Sequence, residues 1–213
     1  MTHLEKNSIT IHQAFYGEVN RAHSCIKQTL TDPDLTSFLI AFTDRPGALP
    51  PGVDLLPYLS GCAFSQYYII SKTYPDLSAS RAGMVFTHVL ILKLEDILQL
   101  NNLNDIFLHF VDSTEKKNTE IREFQANISE YIKPSDKYHP KFIHETIMAF
   151  ISGVTPLLFS GNIDTFSAAL QQIWSSPNIL ARKKIKFRTS FTFADIEYIK
   201  DLTIVSIQRD FLP

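Results

Sequence analysis

Ile9-Thr10-Ile11-His12-Gln13-Ala14-Phe15-Tyr16 alternates apolar and polar positions and predicts a strand that ends at Gly17. In residues 18–30, Ala22, Ile26, Thr29 and Leu30 recur at helical spacing. They predict a helix stopped by Thr31-Asp32-Pro33, because the residue before a proline is pushed out of the helical region. Leu35, Phe38, Leu39 and Phe42 predict a short amphipathic helix or apolar connector over 34–42. Residues 45–57 are dense in Pro and Gly and read as a loop, long enough to lie near a functional surface. Residues 62–72 (CAFSQYYIISK) and 84–92 (MVFTHVLIL) are rich in β-branched and aromatic side chains. They predict two neighbouring strands joined through 73–83.

Short helical segments are expected at 94–97 and 105–110. Residues 113–135 form the most polar stretch, a solvated connection or an edge strand pair and the natural place for an insertion. A helix over 141–153 ends at glycine, a usual helix stop. A short buried strand at 156–161 precedes a helix at 164–174, and 184–193 (KIKFRTSFTF) alternates as a strand with one wet face. A final strand covers 203–207. This order predicts an α/β (α+β mixed) fold: a layered sandwich with a mixed sheet flanked by helices. One domain spans 1–213, with room for two sub-lobes, 1–112 and 139–213, joined by a polar insertion at 113–138. Because the sequence stops soon after a strand, it is expected to be the N-terminal part of a longer protein.

Composition narrows the class. Hydrophobic residues make up 45 % and charged residues 20 % of the 213, enough apolar surface to offset the ordering entropy of a folded chain. Twenty Lys and Arg against 22 Asp and Glu leave a net charge of −2, no electrostatic footprint for nucleic acid. Seven Gly leave little material for a phosphate-cradling loop, while 16 Phe imply a bulky core or a sticky face. Two cysteines exclude a disulfide framework and a cysteine-only zinc site, and fit a reducing compartment. Residues 1–8 are polar with no apolar leader, and no stretch approaches a membrane span, so a cytoplasmic location is expected.

Candidate chemistry is sparse. No HExxH, CxxC, P-loop, GxGxxG or GxSxG pattern occurs, and neither a metal nor a cofactor is implied. The densest polar cluster runs from His12 through Tyr16-Gly17-Glu18 to His23-Ser24-Cys25. Cys25 reads as a nucleophile with His23 or the distant His88 as base, or more plainly as a small core residue. On a helix, His23 and Cys25 would point about 200° apart and could not face each other. His88 shares a strand face with Phe86 and Leu90, the setting of a satisfied core histidine. Asp76 and Arg81 in PDLSASRAG offer a charge pair or an anion-binding turn. The tract 182–188 (RKKIKFR) is the one concentration of positive charge. Its Lys184, Lys186 and Arg188 fall on one strand face, read either as a solvated edge or as a patch for phosphates or an acidic partner.

Four pieces, HQAFYGEVNRAHSCIKQTL (12–30), YYIISKTYPDLSASRAGMVFTHVLIL (67–92), TPLLFSG (155–161) and IKFRTSFTF with LTIVSIQ (185–207), together resemble the N-terminal domain of bacterial GTPase-associated proteins, components of predicted conflict and anti-phage systems. The QAxYGE…AHS and TYPD…RAGxVFTH elements carry most of that resemblance. This chain has Asn20-Arg21-Ala22 where the family is richer in glycine. The resemblance implies a non-catalytic recognition or adaptor domain whose partners are proteins or other domains of the same polypeptide. Gln13, Tyr16, Gly17, Glu18, His23, Arg81, Thr87 and His88 are then structural or partner-contacting. The alternatives are a hydrolase built on Cys25 and an anion or nucleic-acid sensor built on 182–188.

Overall fold

The computed structural model describes residues 8–45, 54–128, 145, 148, 152, 157–160, 163–175, 179–190 and 204–207, with the backbone alone for 157–160, 190 and 204–207. Strand β1 (Ser8–Val19) organises the sheet, because three other strands pair with it. Its second half pairs antiparallel with β2 (Ala22–Gln28) on one side and with β5 (Val85–Lys93) on the other. Its first half, Ser8 to Ile11, pairs with β6 (Phe124–Asn127). The hairpin β3 (Tyr58–Phe64) and β4 (Tyr67–Pro75) continues the sheet beyond β5. After β3 come β8 (Phe187–Ser190), β9 (Ile204–Ile207) and β7 (Leu157–Ser160), the last three joined by parallel ladders. The sheet is therefore mixed, as the order of elements predicts.

Period-2 alternation sorts its side chains into two layers. Ile9 and Ile11 of β1, Tyr68 and Ile70 of β4, and Leu90 and Leu92 of β5 face one side. There they pack on α2 (Asn104–Phe107) through Ile106, and on α3 (Ile163–Trp174) through Phe166, Leu170, Ile173 and Trp174. Ala14 and Tyr16, Ile69, and Val89 and Ile91 face the other side, under Leu35 and Leu39 of α1 (Pro33–Thr43). Pro33 sits in the first turn of α1, and the Asp32 carboxylate accepts from the N–H groups of Asp34 and Leu35. Helices thus cover both faces of the sheet.

Two predicted elements are corrected. Residues 18–30 form no helix: Ala22–Gln28 is strand β2. Asn20 and Arg21 both adopt positive φ, 51° and 65°, a two-residue hairpin turn between Val19 and Ala22. The predicted strand 62–72 is two strands, turned at Ser65 (φ 51°) and Gln66. At the basic tract, 179–184 is 3₁₀ helix, so Lys184 ends a helical turn and strand β8 begins only at Phe187. The polar stretch contains a 3₁₀ turn, Thr114–Asn118, followed by β6. Most of the predicted 141–153 helix and of the 45–57 loop lies outside the described residues; Glu145 and Met148 are helical.

Candidate functional site

The two sequence elements richest in polar character meet at the end of the sheet where β1 turns into β2. Glu18, near the end of β1, accepts from both the backbone N–H (2.6 Å) and the hydroxyl of Ser80. These bonds hold the Glu18 carboxyl below its ordinary range. Arg81 donates through Nη1 to the carbonyl of Arg21 in the turn, at 2.8 Å. The segment 76–83, which joins β4 to β5, is thereby tied to the β1–β2 hairpin from two directions.

Its base is fixed from a third. Asp76 is buried, and its carboxylate accepts from the N–H and hydroxyl of Ser78. Asp76 pairs not with Arg81 but with Lys117, at 3.2 Å, and Lys117 also donates to the Ser78 hydroxyl at 2.8 Å. Desolvation pushes the Asp76 carboxyl up, but the Ser78 and Lys117 bonds prevail and leave it below the ordinary value. Gly83 closes the loop at φ 79°, with the Arg45 guanidinium against its α-carbon. Between these anchors Leu77 is 95 % exposed, an apolar side chain in solvent.

Directly behind the loop, His88 is fully buried on β5. The N–H of Val111 donates to its Nδ1 at 3.1 Å, so Nε2 carries the proton and donates to Oε1 of Gln13 at 2.9 Å. The Gln13 amide nitrogen in turn donates to the carbonyl of Arg122 at 2.7 Å. Burial, with a smaller contribution from His109, pulls His88 down from 6.5 to about 3, so it is neutral. The rings of Phe15, Phe86 and Phe110 surround this column; Phe15 and Phe110 stand edge-on to the imidazole, and Phe15 stands edge-on to Phe86.

His23 and Cys25 lie on β2, where residues two apart share a face, so the helical objection to their meeting is removed. Their side chains are nevertheless committed elsewhere. His23 donates from Nε2 to the Thr43 hydroxyl at 2.9 Å, since that hydroxyl is spent on the Leu39 carbonyl. Its Nδ1 lies 4.0 Å from the Asp44 carboxylate, and burial holds its pKa below the ordinary histidine value. The Cys25 thiol donates to Oε1 of Gln28 at 3.6 Å and is pushed up by burial. Among the described residues neither imidazole hydrogen-bonds the sulfur. Tyr16 is buried beside Cys25, its hydroxyl in no hydrogen-bond geometry among the described residues and its pKa raised by desolvation.

The basic tract divides. Arg182 is 2 % exposed and donates to the carbonyls of Trp174, Leu98 and Leu100, so it is a core brace. Lys184 is exposed, Lys186 half-buried, and the Arg188 guanidinium lies 5.8 Å above the ring of Tyr58. Among the described residues no three His, Cys, Asp or Glu side chains gather to hold a metal, and no helix is long and apolar enough to cross a membrane. Leu77, Ser80 and Lys117 escape a reading of the sequence. A leucine placed between Pro-Asp and Ser in a turn is the one local signal that marks the loop tip.

No curated protein and no solved structure matches the chain. A family model does, over residues 10–110, which include β1, β2, β3, β4 and β5 and the pinned loop between β4 and β5. Across that stretch the chain is similar to the family described as GTPase-associated protein 1, N-terminal domain type 1.

Proposed function

We propose that this chain is a non-catalytic recognition domain that docks a protein partner through the 76–83 loop and the β1–β2 turn. The observation that carries the reading is Leu77, 95 % exposed at the tip of a loop whose neighbours are tied down by Glu18, Lys117 and Arg81. A free loop would lose conformational entropy on binding, whereas one already fixed in shape loses little. Covering a solvated leucine on such a loop with a partner removes its apolar surface from water and favours association. Arg21 and Arg81, both exposed, lie on the β1–β2 turn and the 76–83 loop and would steer an acidic rim toward this end of the sheet. The family description names a GTPase as the associated protein, and a GTPase is the partner class we assign. On the strength of the resemblance we further propose that the domain works in the bacterial cytoplasm as part of an anti-phage system.

The test is photocrosslinking from the full chain in its host. A photoreactive phenylalanine analogue replaces Leu77 in one variant and Leu180, also exposed at 66 %, in another. A saturable adduct formed from position 77, absent from position 180 and competed by wild type but not by Leu77→Asp, supports the reading. A GTPase in that adduct supports the partner class. Equal, unsaturable labelling from both positions overturns it.

A further inference from the structure

At the opposite end of β5 from the pinned loop lies a cleft of about 390 Å³. It is formed where β5 ends, β4 begins and the 3₁₀ turn before β8 passes, and ligand clefts start at roughly this size. Nine residues of strand separate the two places, about 27 Å. Lys93 and Lys183 both line the cleft, and among the described residues neither has an ion-pair partner. Their origin differs: Lys93 ends β5, and Lys183 is the one member of the basic tract that reaches this cleft. His12 stands on the wall with Nδ1 3.3 Å from the Glu123 carboxylate.

The other wall is firm and apolar. The Tyr67 hydroxyl donates to Asp32 Oδ2 at 3.1 Å and accepts from Gln66 Nε2 at 3.0 Å, so the ring is held in place. Leu30 and Leu94 continue that wall, and the N–H of Leu94 is fixed on the Gln66 carbonyl at 2.8 Å. Glu95 is the single acidic residue in the lining. Two lysines without an ion-pair partner among the described residues line one cleft with a fixed phenol ring and two leucines, a lining that combines positive charge with apolar surface.

From this arrangement we infer that the cleft binds a small phosphorylated molecule with an aromatic or apolar body, the phosphate on Lys93 and Lys183 and the body against Tyr67, Leu30 and Leu94. Lysine serves phosphate as a mobile point charge, and two of them on separate elements can close on one anion. The site is independent of protein docking at Leu77, and either can fail without the other.

Phenyl phosphate carries both halves of the expected ligand and is the probe. Titrated into the full chain at low ionic strength and followed by two-dimensional NMR, it should shift the amides of residues 66–67 and 93–95 in a saturable way. Phenol and inorganic phosphate should each bind more weakly than the combined molecule. Lys93→Gln and Lys183→Gln should each weaken phenyl phosphate about tenfold, the loss of one charge-assisted contact, while Lys116→Gln leaves it unchanged. Absence of saturable shifts up to crystal-like concentrations overturns the inference, as does binding that both lysine variants retain in full.

Discussion

His88 of β5 gives the proton on Nε2 to the side-chain carbonyl of Gln13 on β1, 2.9 Å away, and does so because the Val111 N–H already occupies Nδ1. One imidazole therefore links two neighbouring strands to the chain that crosses above them, and it serves only while neutral. Burial lowers its pKa from 6.5 to about 3. A histidine depressed in the folded state contributes stability that is complete above about pH 6.5 and is lost as the pH falls toward the folded value. Over that window His88 alone should remove about 1.4 kcal/mol per pH unit. His23 and His109, both lowered by burial, act in the same direction. Urea unfolding at pH 7 and pH 5 should show the loss, and His88→Gln should make the pH dependence shallower by about one proton.

The same column predicts a coupling. Gln13→Leu strands the His88 N–H and the Arg122 carbonyl, and His88→Phe strands the Val111 N–H and the Gln13 carbonyl. Each single change should cost about 1–3 kcal/mol, the desolvation cost of unmade bonds. The double variant should cost less than the sum by about 1–2 kcal/mol, because both strand part of one chain. Chemical denaturation of the four proteins measures it, and strict additivity would mean that the column does not act as a unit.

Gly61 and Phe187 face each other across the β3–β8 ladder, and the phenyl ring occupies the space a β-carbon on Gly61 would need. Phe187 is 1 % exposed and packs near Phe166 of α3, so the ring has nowhere to retreat. Gly61→Ala should destabilise by about 1–3 kcal/mol, and Phe187→Leu in the same chain should return part of it. Gly17 supplies the contrast. A β-carbon there meets only the far end of Ile26 at 3.0 Å, a flexible tip that can yield. Thermal melts should place Gly17→Ala well above Gly61→Ala.

What the sequence reveals and conceals follows from where each signal resides. β1, β5, α1 and α3 are legible because alternation and i, i+3, i+4 spacing are local properties, whereas Asp32-Pro33, which reads as the stop of a preceding helix, in fact caps α1. β2 reads as a helix because Ala22, Ile26 and Leu30 are four apart, and because its turn is Asn-Arg where Asn-Gly would have announced a hairpin. The β3–β4 turn is hidden for the same reason, Ser65-Gln66 containing neither Gly nor Pro. Glu18, Arg81, His88 and Gln13 stand out individually as polar residues in apolar surroundings. That Glu18 reaches Ser80, or that Asp76 takes Lys117 in preference to Arg81, depends on pairing across tens of residues that no local pattern encodes.

The Asn20-Arg21 turn carries its own prediction. Arg21 holds φ 65°, a region in which an L side chain costs about 1–2 kcal/mol, while asparagine at 51° is tolerated. Arg21→Gly removes that cost but adds unfolded-chain entropy, for a net gain of about 0.5–1 kcal/mol. The carbonyl that Arg81 uses belongs to the backbone and is retained. A raised midpoint in urea with an unchanged slope would confirm it, whereas a lowered midpoint would show that the Arg21 side chain has a stabilising contact.

Arg182 shows why a basic tract cannot be read as one surface. Its Nε donates to the Trp174 carbonyl and its Nη1 to those of Leu98 and Leu100, each at 2.9 Å, while both Nη groups approach Asn101 Oδ1 at 3.4 Å. It is buried, 5.9 Å above the Trp174 ring, and so closes the C-terminal end of α3 onto the 98–101 segment. Methionine fills a similar volume but takes the Arg182 donors from the Trp174 and Leu98 carbonyls and leaves Leu100 with the Trp174 indole N–H alone, so Arg182→Met should cost about 2–4 kcal/mol. Arg182→Lys keeps the charge yet presents one compact donor group where a planar fork reached two sides, and it should recover less than half of that. Lys184→Met, two positions away and exposed, should change stability by less than about 0.5 kcal/mol. Denaturant unfolding of the three variants tests the assignment, and near-equal costs at 182 and 184 would return Arg182 to the solvated face of the tract.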